Sequence, residues 1–323
     1  MNILITGGAG YIGSFMVKKL LDRGDKVTVV DNLKTGHKES IDSRATLLVG
    51  DLNDLSFIRT IFKDSFDAIL HFAGLISMEE STKNPFLYFQ NNTFAALNLI
   101  DEAVKGNVKK LIFSSTAGVY GNPIKIPIPE DHSTNPTNPY GESKLMIERI
   151  LAWYSRIFGL SFVSLRYFNA AGASLDGLMG EDHKEETHII PLAMKAALSG
   201  SEFNLYGTDY KTDDGTCVRD YIHVLDLVEA HVLALNKLDR EEGGFFYNVG
   251  TGRGYSNKEV LNMVKNVSKI DLQIVNKDRR PGDADVLIAD PEKAKNELGF
   301  SPKYSDLETI VKTAWQWHSK LKK

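Results

Sequence analysis

The chain has 323 residues, of which 42% are hydrophobic and 25% charged, and its formal net charge is −4. This length allows a large core and predicts two lobes on one scaffold, and the absence of a basic surplus argues against a nucleic-acid partner. Cys217 is the only cysteine, which excludes an internal disulfide and indicates a reducing compartment. The sequence has no apolar run of the ~20 residues that a membrane-spanning helix needs. The first predicted strand starts at Met1 and leaves no room for a signal peptide. We therefore expect a cytoplasmic protein with no membrane partner.

The first predicted strand leads into a glycine-rich turn. Residues 2–5 form a short apolar run, and Gly8, Gly10 and Gly13 then follow with the spacing of the dinucleotide-binding fingerprint. Gly7 adds a second, overlapping spacing with the same two later glycines. A turn without Cβ atoms lets backbone N–H groups and a helix N-terminus approach a pyrophosphate closely. The turn therefore predicts a bound dinucleotide.

The second predicted strand identifies the dinucleotide. A helix is predicted over residues 12–23 and a strand over residues 26–30, which ends in Asp31. An acidic residue about 20 positions after the glycines binds the ribose 2′-hydroxyl of NAD in such sites. Because its charge would repel the 2′-phosphate of NADP, we predict NAD as the cofactor.

Strands and helices continue to alternate through the first half of the chain. Further strands are predicted over residues 46–49, 68–72, 110–113 and 161–166, with helices that include residues 85–105 and 140–158. This alternation predicts an α/β fold with a doubly wound parallel sheet of the Rossmann type, whose ligands bind at the carboxyl ends of the strands. Several candidate residues stand just after a predicted strand: Thr6, Asp31, Asp51, Ala73 and Thr116.

The pattern changes after about residue 173. Short strands are predicted over residues 202–206 and 272–275, between polar loops. We therefore predict a dinucleotide-binding domain over residues 1–173 and a smaller, mixed α/β lobe over residues 174–323. A helix near residues 226–235 is expected to return to the first domain.

Tyr140 and Lys144 form a candidate catalytic pair. They follow Pro139, a residue favoured in the first turn of a helix, and their i, i+4 spacing places both on one helical face. A tyrosine that acts as a base near neutrality needs its pKa lowered by about three units, or roughly 4 kcal/mol. An ammonium about 5 Å away would supply roughly 3 kcal/mol at an effective dielectric of about 20. The pair is common on solvated helices, and it gains meaning from the glycine turn.

Together these motifs resemble the extended short-chain dehydrogenase/reductase superfamily, and nearly the whole chain resembles its UDP-glucose 4-epimerase family. The matching blocks cover residues 71–75, 113–121, 138–145, 165–172, 179–182, 213–224 and 279–283. The resemblance implies an isomerase of galactose metabolism that interconverts UDP-galactose and UDP-glucose. NAD would take hydride from C4 of the sugar and return it to the opposite face of a 4-keto intermediate, so the cofactor need not leave.

The resemblance also implies the site residues. Tyr140 would be the base, Lys144 its neighbouring charge, and Thr116 would position the sugar hydroxyl. The implied NAD contacts are Gly7, Gly10, Tyr11, Ile12, Gly13, Asp31, Asn32, Leu33, Lys34, Thr35, Gly36, Asp51, Leu52, Phe72, Ala73, Gly74, Leu75, Ile76, Asn91, Thr116, Tyr140, Lys144 and Phe168. The implied UDP-sugar contacts, in the lobe that would bind substrate, are Thr116, Tyr140, Asn169, Asn204, Leu205, Tyr206, Arg219, Arg280 and Asp283. A homodimer through first-lobe helices is also implied.

Two other functions compete with epimerisation. Nucleotide-sugar dehydratases and decarboxylases on this fold carry carboxylates just after the Ser/Thr of the fifth strand, where this chain has Ala117 and Gly118. Those residues cannot transfer protons. Non-catalytic NAD(P)-sensing proteins tend to lose the Tyr/Lys pair, whereas this chain keeps Tyr140 and Lys144.

A few positions are ambiguous. His188 stands where related enzymes often have an Asn that contacts substrate, and Leu287 stands where residue size controls space for an N-acetyl group. Leucine decides neither way, so activity on UDP-GalNAc stays open. His71, His223 and His318 are interpreted as structural, because no cluster with metal-ligand spacing was found and no metal is predicted.

Overall fold

The computed structural model describes residues 1–280 and 283–321. The chain divides into two compact units. The first consists of Met1–Gly121, Ser133–Arg166 and Ala230–Tyr247. The second consists of Asn122–His132, Tyr167–Glu229 and the described residues of Asn248–Lys323. Among the described residues, the structure contains no helix with the length and apolar character needed to cross a membrane.

The strands and helices are numbered in chain order. The strands are β1 (Asn2–Thr6), β2 (Lys26–Asp31), β3 (Thr46–Val49), β4 (Ala68–His71), β5 (Lys110–Thr116), β6 (Ser161–Tyr167), β7 (Asn169–Ala171), β8 (Glu202–Tyr206), β9 (Val218–His223), β10 (Gly244–Val249), β11 (Gly254–Ser256), β12 (Gln273–Lys277) and β13 (Val286–Leu287). The helices are α1 (Tyr11–Asp22), α2 (Leu55–Ile61), α3 (Met78–Lys83), α4 (Pro85–Tyr88), α5 (Ala95–Lys105), α6 (Pro139–Phe158), α7 (Ile189–Ser199), α8 (Val224–Leu238), α9 (Asn257–Ser268), α10 (Glu292–Leu298) and α11 (Leu307–Leu321).

The first unit is built on a seven-stranded sheet with the order β3-β2-β1-β4-β5-β6-β10. Strand β1 pairs in parallel with both β2 and β4, β2 pairs with β3, and β4 pairs with β5. Ile3, Leu4 and Ile5 are fully buried, as expected for a parallel strand covered by helices on both faces. The predicted doubly wound sheet is confirmed, and the strand order reverses between β1 and β4, where ligands bind in such folds.

Two elements of this unit differ from the sequence prediction. The helix predicted over residues 85–105 consists of α4, a π-helical segment (Phe89–Phe94) and α5. Strand β5 also continues beyond the predicted residue 113 to Thr116. The polar residues at its end were predicted as a loop. In the structure the hydroxyl of Ser115 donates to buried Glu148 at 2.7 Å, a contact that the sequence does not reveal. Thr116 is therefore the last residue of the strand.

The second unit contains smaller sheets and a helical core. Strand β9 pairs with β7 and β13 in parallel and with β11 in antiparallel orientation, while β8 pairs in parallel with β12. Helices α7, α9 and α11 contribute the core, which includes Met194, Val260 and Ile310. Helix α8 begins in the second unit and ends in the first. The assignment of residues 1–173 to NAD and 174–323 to the UDP-sugar stays a prediction.

Candidate active site

The glycine-rich turn after β1 is shaped by close backbone contacts. Gly7 has a φ of +75°, and a Cβ there would lie 2.5 Å from the backbone nitrogen of Ala73. A Cβ on Gly13 would lie 2.2 Å from the carbonyl oxygen of Gly7. Helix α1 begins with Gly10 as its N-cap, which has no side chain to bond the first N–H groups. The space and the helix N-terminus both fit a dinucleotide pyrophosphate.

Asp31 ends β2 and organises the loop that follows it. One carboxylate oxygen accepts the N–H of Ala9 at 3.0 Å, and the other accepts the N–H of Leu33 at 2.9 Å. A Cβ on Gly36 would lie 2.8 Å from Ala9, so the loop folds back against the glycine turn. Because a carboxylate oxygen has more than one acceptor site, Asp31 can still accept a ribose hydroxyl.

Asp51 lies beside this loop, after β3. Its side chain accepts hydrogen bonds from Asn32 at 3.1 Å, from Lys34 at 3.0 Å and from Asn53 at 3.0 Å. Burial alone would raise the pKa of Asp51, but these hydrogen bonds outweigh it and hold the pKa well below its usual value. Asp51 is therefore an anion that fixes the loop predicted to surround the adenosine.

The loop after β4 is held by Asn92 in the π-helical segment. The Asn92 amide oxygen accepts the N–H of Leu75 at 2.8 Å, and its amide nitrogen donates to the Leu75 carbonyl at 3.0 Å and to Ser143 on α6 at 3.1 Å. The sequence analysis named the neighbouring Asn91, which donates to the Asn92 oxygen at 3.2 Å. Asn92 was missed because only the π-helical backbone shows which of the adjacent amides faces this loop.

Tyr140 and Thr116 meet where β5 and α6 approach each other. Asn138 caps α6 by accepting the N–H of Gly141 at 2.9 Å, and the Thr116 hydroxyl oxygen accepts the N–H of Gly118 at 3.0 Å. The Thr116 side chain also lies near that of Tyr140, where their interaction opposes the effect of burial on the Tyr140 pKa. A Cβ on Gly141 would lie 2.7 Å from the Gly118 carbonyl oxygen, so a glycine there allows the approach.

Lys144 lies one turn further along α6 and is buried. Its Nζ donates to the carbonyl oxygen of Ser114 at 2.9 Å and lies 5.0 Å from the ring centroid of Phe113. Burial lowers the pKa of Lys144 to about 8, so the ammonium form predominates at pH 7. Nearby, burial and then the charge of Lys144 lower the pKa of His71 to about 3, and this neutral imidazole shares a 2.6 Å hydrogen bond with Thr6.

The expected effect of Lys144 on Tyr140 needs a correction. The helical spacing of Tyr140 and Lys144 predicted that the ammonium lowers the pKa of the tyrosine. For the protein by itself the pKa of Tyr140 is raised, because burial of the hydroxyl outweighs the hydrogen bond with Thr116. A tyrosine in this setting holds its proton, and only a further positive charge next to it would favour ionisation.

The remaining predicted NAD residues of the first unit share one edge of the sheet. They occupy the ends of β1 to β5, the loops that follow these strands, and the first turns of α1 and α6. Phe72 packs against His231 with ring centroids 4.9 Å apart. Phe168 follows β6, and it belongs to the second unit together with Asn169 on β7.

The predicted UDP-sugar residues of the second unit form two contacts. The guanidinium of Arg280 lies 4.2 Å from the ring centroid of Tyr206, the last residue of β8. Nη2 of Arg219 on β9 lies 3.7 Å from Oδ1 of Asp283. Nη1 of the same arginine donates to the carbonyl oxygen of Ala284 at 2.8 Å. Asn204 and Leu205 are on β8. Pro281 and Gly282, which belong to the same sequence block as Arg280, lie outside the described residues.

The structure also brings together a group that the sequence analysis did not find. Glu181, His183, Glu186 and His188 each place a potential metal ligand within 4.8 Å of the others. The signal was present as alternating carboxylate and imidazole residues over eight positions. It was passed over because it does not match the spacing of common zinc motifs.

Comparisons with known proteins agree over nearly the full chain. The sequence model of the NAD dependent epimerase/dehydratase family matches residues 3–250. A UDP-glucose 4-epimerase of Lacticaseibacillus casei is 47% identical over 320 residues, which are 98% of this chain and 97% of the relative. A crystal structure of a UDP-glucose 4-epimerase is 46% identical with a TM-score of 0.95, covering 99% of this chain and 98% of that one. The UDP-glucose 4-epimerase of Bifidobacterium longum, solved with NAD⁺ and UDP, is 38% identical with a TM-score of 0.95 and coverages of 99% and 98%.

These matches and the geometry of the glycine turn lead to the same conclusion. The chain belongs to the NAD dependent epimerase/dehydratase family, where it groups with the UDP-glucose 4-epimerases.

Proposed function

We propose that this chain interconverts UDP-galactose and UDP-glucose by reversible oxidation at C4 of the sugar. The observation that carries the proposal is the approach of the Thr116 side chain to Tyr140, with buried Lys144 one helical turn away. The two positions after Thr116 are Ala117 and Gly118, which supply no acid or base for elimination. This set can move one proton at one hydroxyl, as epimerisation requires.

The residues of the first unit divide the work at the sugar. Tyr140 removes the proton from the C4 hydroxyl and later returns one, and Thr116 holds that hydroxyl in line with Tyr140. When bound, NAD⁺ would supply a hydride acceptor at C4 that later gives the hydride back, so it would not be consumed, and its charge would favour the ionised form of Tyr140. Lys144 adds its own positive charge, because its pKa of about 8 keeps it protonated at neutral pH. The turn that contains Gly7, Gly10 and Gly13 would hold the cofactor.

The second unit is proposed to bind the nucleotide part of the substrate. Arg219 and Arg280 carry planar guanidinium groups, which match phosphate oxygens, and Asp283 can accept a ribose hydroxyl. Tyr206 and its neighbours on β8 are proposed to contact the uracil. The Brucella ovis relative was solved with NAD, and the Bifidobacterium longum relative was solved with NAD⁺ and UDP. These complexes support the proposed NAD site and the proposed nucleotide site.

A homodimer and a cytoplasmic location complete the proposal. Met146, Trp153 and Ile157 are exposed on one face of α6, at 36%, 59% and 63%, and an apolar helical face of this kind favours burial against a second copy. The single buried cysteine suits a reducing compartment. Sedimentation should show a dimer, and Trp153→Asp should dissociate it. Leu178→Asp changes an exposed residue outside α6 and should leave the dimer intact. A monomeric wild-type protein would contradict the dimer without affecting the proposed reaction.

The decisive test of the reaction uses UDP-galactose and no added reductant. We expect UDP-glucose to accumulate to an equilibrium mixture, without net NADH release and without a 4-keto-6-deoxy sugar. Appearance of the deoxy sugar would identify a dehydratase instead. Tightly bound cofactor with no turnover of either UDP-sugar would identify a sensor.

A further inference from the structure

Four side chains of the second unit converge in the segment that leads into α7. The Oε1 atom of Glu181 lies 2.5 Å from Nδ1 of His188 and 3.2 Å from Nδ1 of His183. The two carboxylate oxygens of Glu186 each lie 3.6 Å from one of the same two nitrogens. Carboxylates and imidazoles therefore alternate around a common centre, with all donor atoms within 4.8 Å.

Glu186 provides an independent indication of a ligand. Its side chain is 2% exposed, and Oε2 has no hydrogen-bond partner among residues 1–280 and 283–321. The other oxygen, Oε1, accepts the N–H groups of Thr187 at 2.8 Å and His188 at 2.9 Å. A buried carboxylate oxygen that has an imidazole nitrogen 3.6 Å away but no hydrogen bond is unfavourable. A cation at the centre of the cluster would bond that oxygen directly.

We propose that Glu181, His183, Glu186 and His188 bind one zinc ion through two carboxylate oxygens and two imidazole nitrogens. Zinc–ligand bonds of ~2.0–2.1 Å in a tetrahedron place neighbouring donor atoms about 3.3 Å apart. Of the four measured separations, the 3.2 Å and 3.6 Å distances from His183 are already close to that value, whereas the 3.6 Å distance from His188 is to Oε1, the other oxygen of Glu186. The fourth, at 2.5 Å between Glu181 and His188, is a hydrogen bond, so the zinc replaces a proton there and that pair moves apart.

The ligand types favour zinc over the common hard cations. Calcium and magnesium prefer an all-oxygen shell with more ligands, whereas imidazole nitrogen suits zinc. All four ligands come from the chain and the two carboxylates are buried, with side-chain exposures of 4% and 2%. A four-ligand site of this kind leaves no open position for substrate or water. The site is therefore structural rather than catalytic.

The structural role follows from what the segment contacts. Trp317 on α11 donates from its indole nitrogen to the carbonyl oxygen of Glu181 at 3.0 Å. His188 is the N-cap of α7, and its side chain makes no cap hydrogen bond. The zinc would join the residue that packs on α11 to the residue that begins α7. Both helices contribute to the core of the second unit, so the metal is expected to raise the unit's resistance to unfolding.

The test begins with the full-length protein treated with a chelator and dialysed. Titration with ZnCl₂ against a chromogenic competing chelator should give one tightly bound zinc per chain. Glu186→Gln and His183→Asn should weaken binding at least tenfold. Glu185→Gln removes an exposed carboxylate one position away and should bind as the wild type does. Zinc should raise the melting temperature of the wild type and of Glu185→Gln, and it should leave those of Glu186→Gln and His183→Asn unchanged.

Two results would overturn the proposal. One is a wild-type protein that fails to compete with the chelator; the other is a folded Glu186→Gln variant that binds zinc as tightly as the wild type. Either would leave the cluster as an ion-pair network. If Glu186→Gln does not fold by circular dichroism, CoCl₂ added to the wild type decides the matter. Strong visible absorption supports a four-coordinate site, and a weak octahedral spectrum contradicts it.

Discussion

The ammonium of Lys144 donates a hydrogen bond to the carbonyl oxygen of Ser114, 2.9 Å away on the strand that ends in Thr116. This contact ties α6 to β5 at the point where the hydroxyl groups of Tyr140 and Thr116 meet. The same contact places the buried positive charge beside Gly74: a Cβ there would lie 3.4 Å from Nζ of Lys144. The lysine therefore has a positioning role and an electrostatic role.

Tyr140→Phe should fold and keep its NAD but lose epimerase activity by roughly 10²–10⁴-fold, the usual contribution of a general base. The ring remains to fill the buried space, and only the proton-transferring oxygen is removed. The measurement is conversion of UDP-galactose together with the NAD content of the purified protein. Activity within a few-fold of the wild type would refute the base assignment.

Lys144→Met should abolish activity while leaving the protein without NAD as stable as the wild type or more so. The folded pKa of Lys144 is about 8 against an ordinary 10.5, so the unfolded chain binds more protons between those pH values. Wild-type stability should therefore rise with pH across that window, by roughly 3 kcal/mol at most. Denaturant unfolding at pH 7 and pH 10 measures the stability of each protein and its rise with pH. The variant should lack the part of the rise that Lys144 contributes. An identical rise in both proteins would contradict the lowered pKa of Lys144.

Asp31→Asn should shift the ratio of NADP to NAD affinity toward NADP by about tenfold, because it removes the charge that repels a 2′-phosphate. One of the N–H groups of Ala9 and Leu33 loses its acceptor, so NAD binding should weaken as well. Asp51→Asn is the matched control, since it removes a carboxylate on the neighbouring strand end. Fluorescence titration with each dinucleotide gives the ratios. A wild-type protein that binds NADP more tightly than NAD would contradict the role of Asp31.

Arg280→Ala should raise the KM for UDP-galactose by about 10–100-fold, the range for loss of a charge-assisted hydrogen bond, with NAD content unchanged. Arg280→Lys should recover only part of this loss, because an ammonium neither grips phosphate in bidentate fashion nor stacks as well on Tyr206. Arg279→Ala is the control: Arg279 is ion-paired with Asp209 at 2.6 Å and has no predicted substrate role. Equal KM values in the two alanine variants would remove Arg280 from the site.

The sequence determined the fold class and predicted the main site residues, because both depend on local patterns. The apolar run of β1, the glycines after it and the acidic end of β2 each depend on near neighbours in the chain. The spacing of Tyr140 and Lys144 likewise needs only the geometry of one helix. The family resemblance extended these assignments to the second unit, where the individual residues are not recognisable alone.

Only the tertiary structure decided what depends on contacts between distant segments. Asn92 reaches Leu75 through a π-helical turn that no propensity predicts, and Gly141 is needed because α6 approaches Gly118. The sign of the Tyr140 pKa shift follows from burial, which a helical spacing does not reveal. The convergence of Glu181, His183, Glu186 and His188 likewise depends on how their loop folds, since their spacing resembles no common metal motif. Local order is encoded in neighbouring residues, whereas burial and convergence are properties of the packed chain.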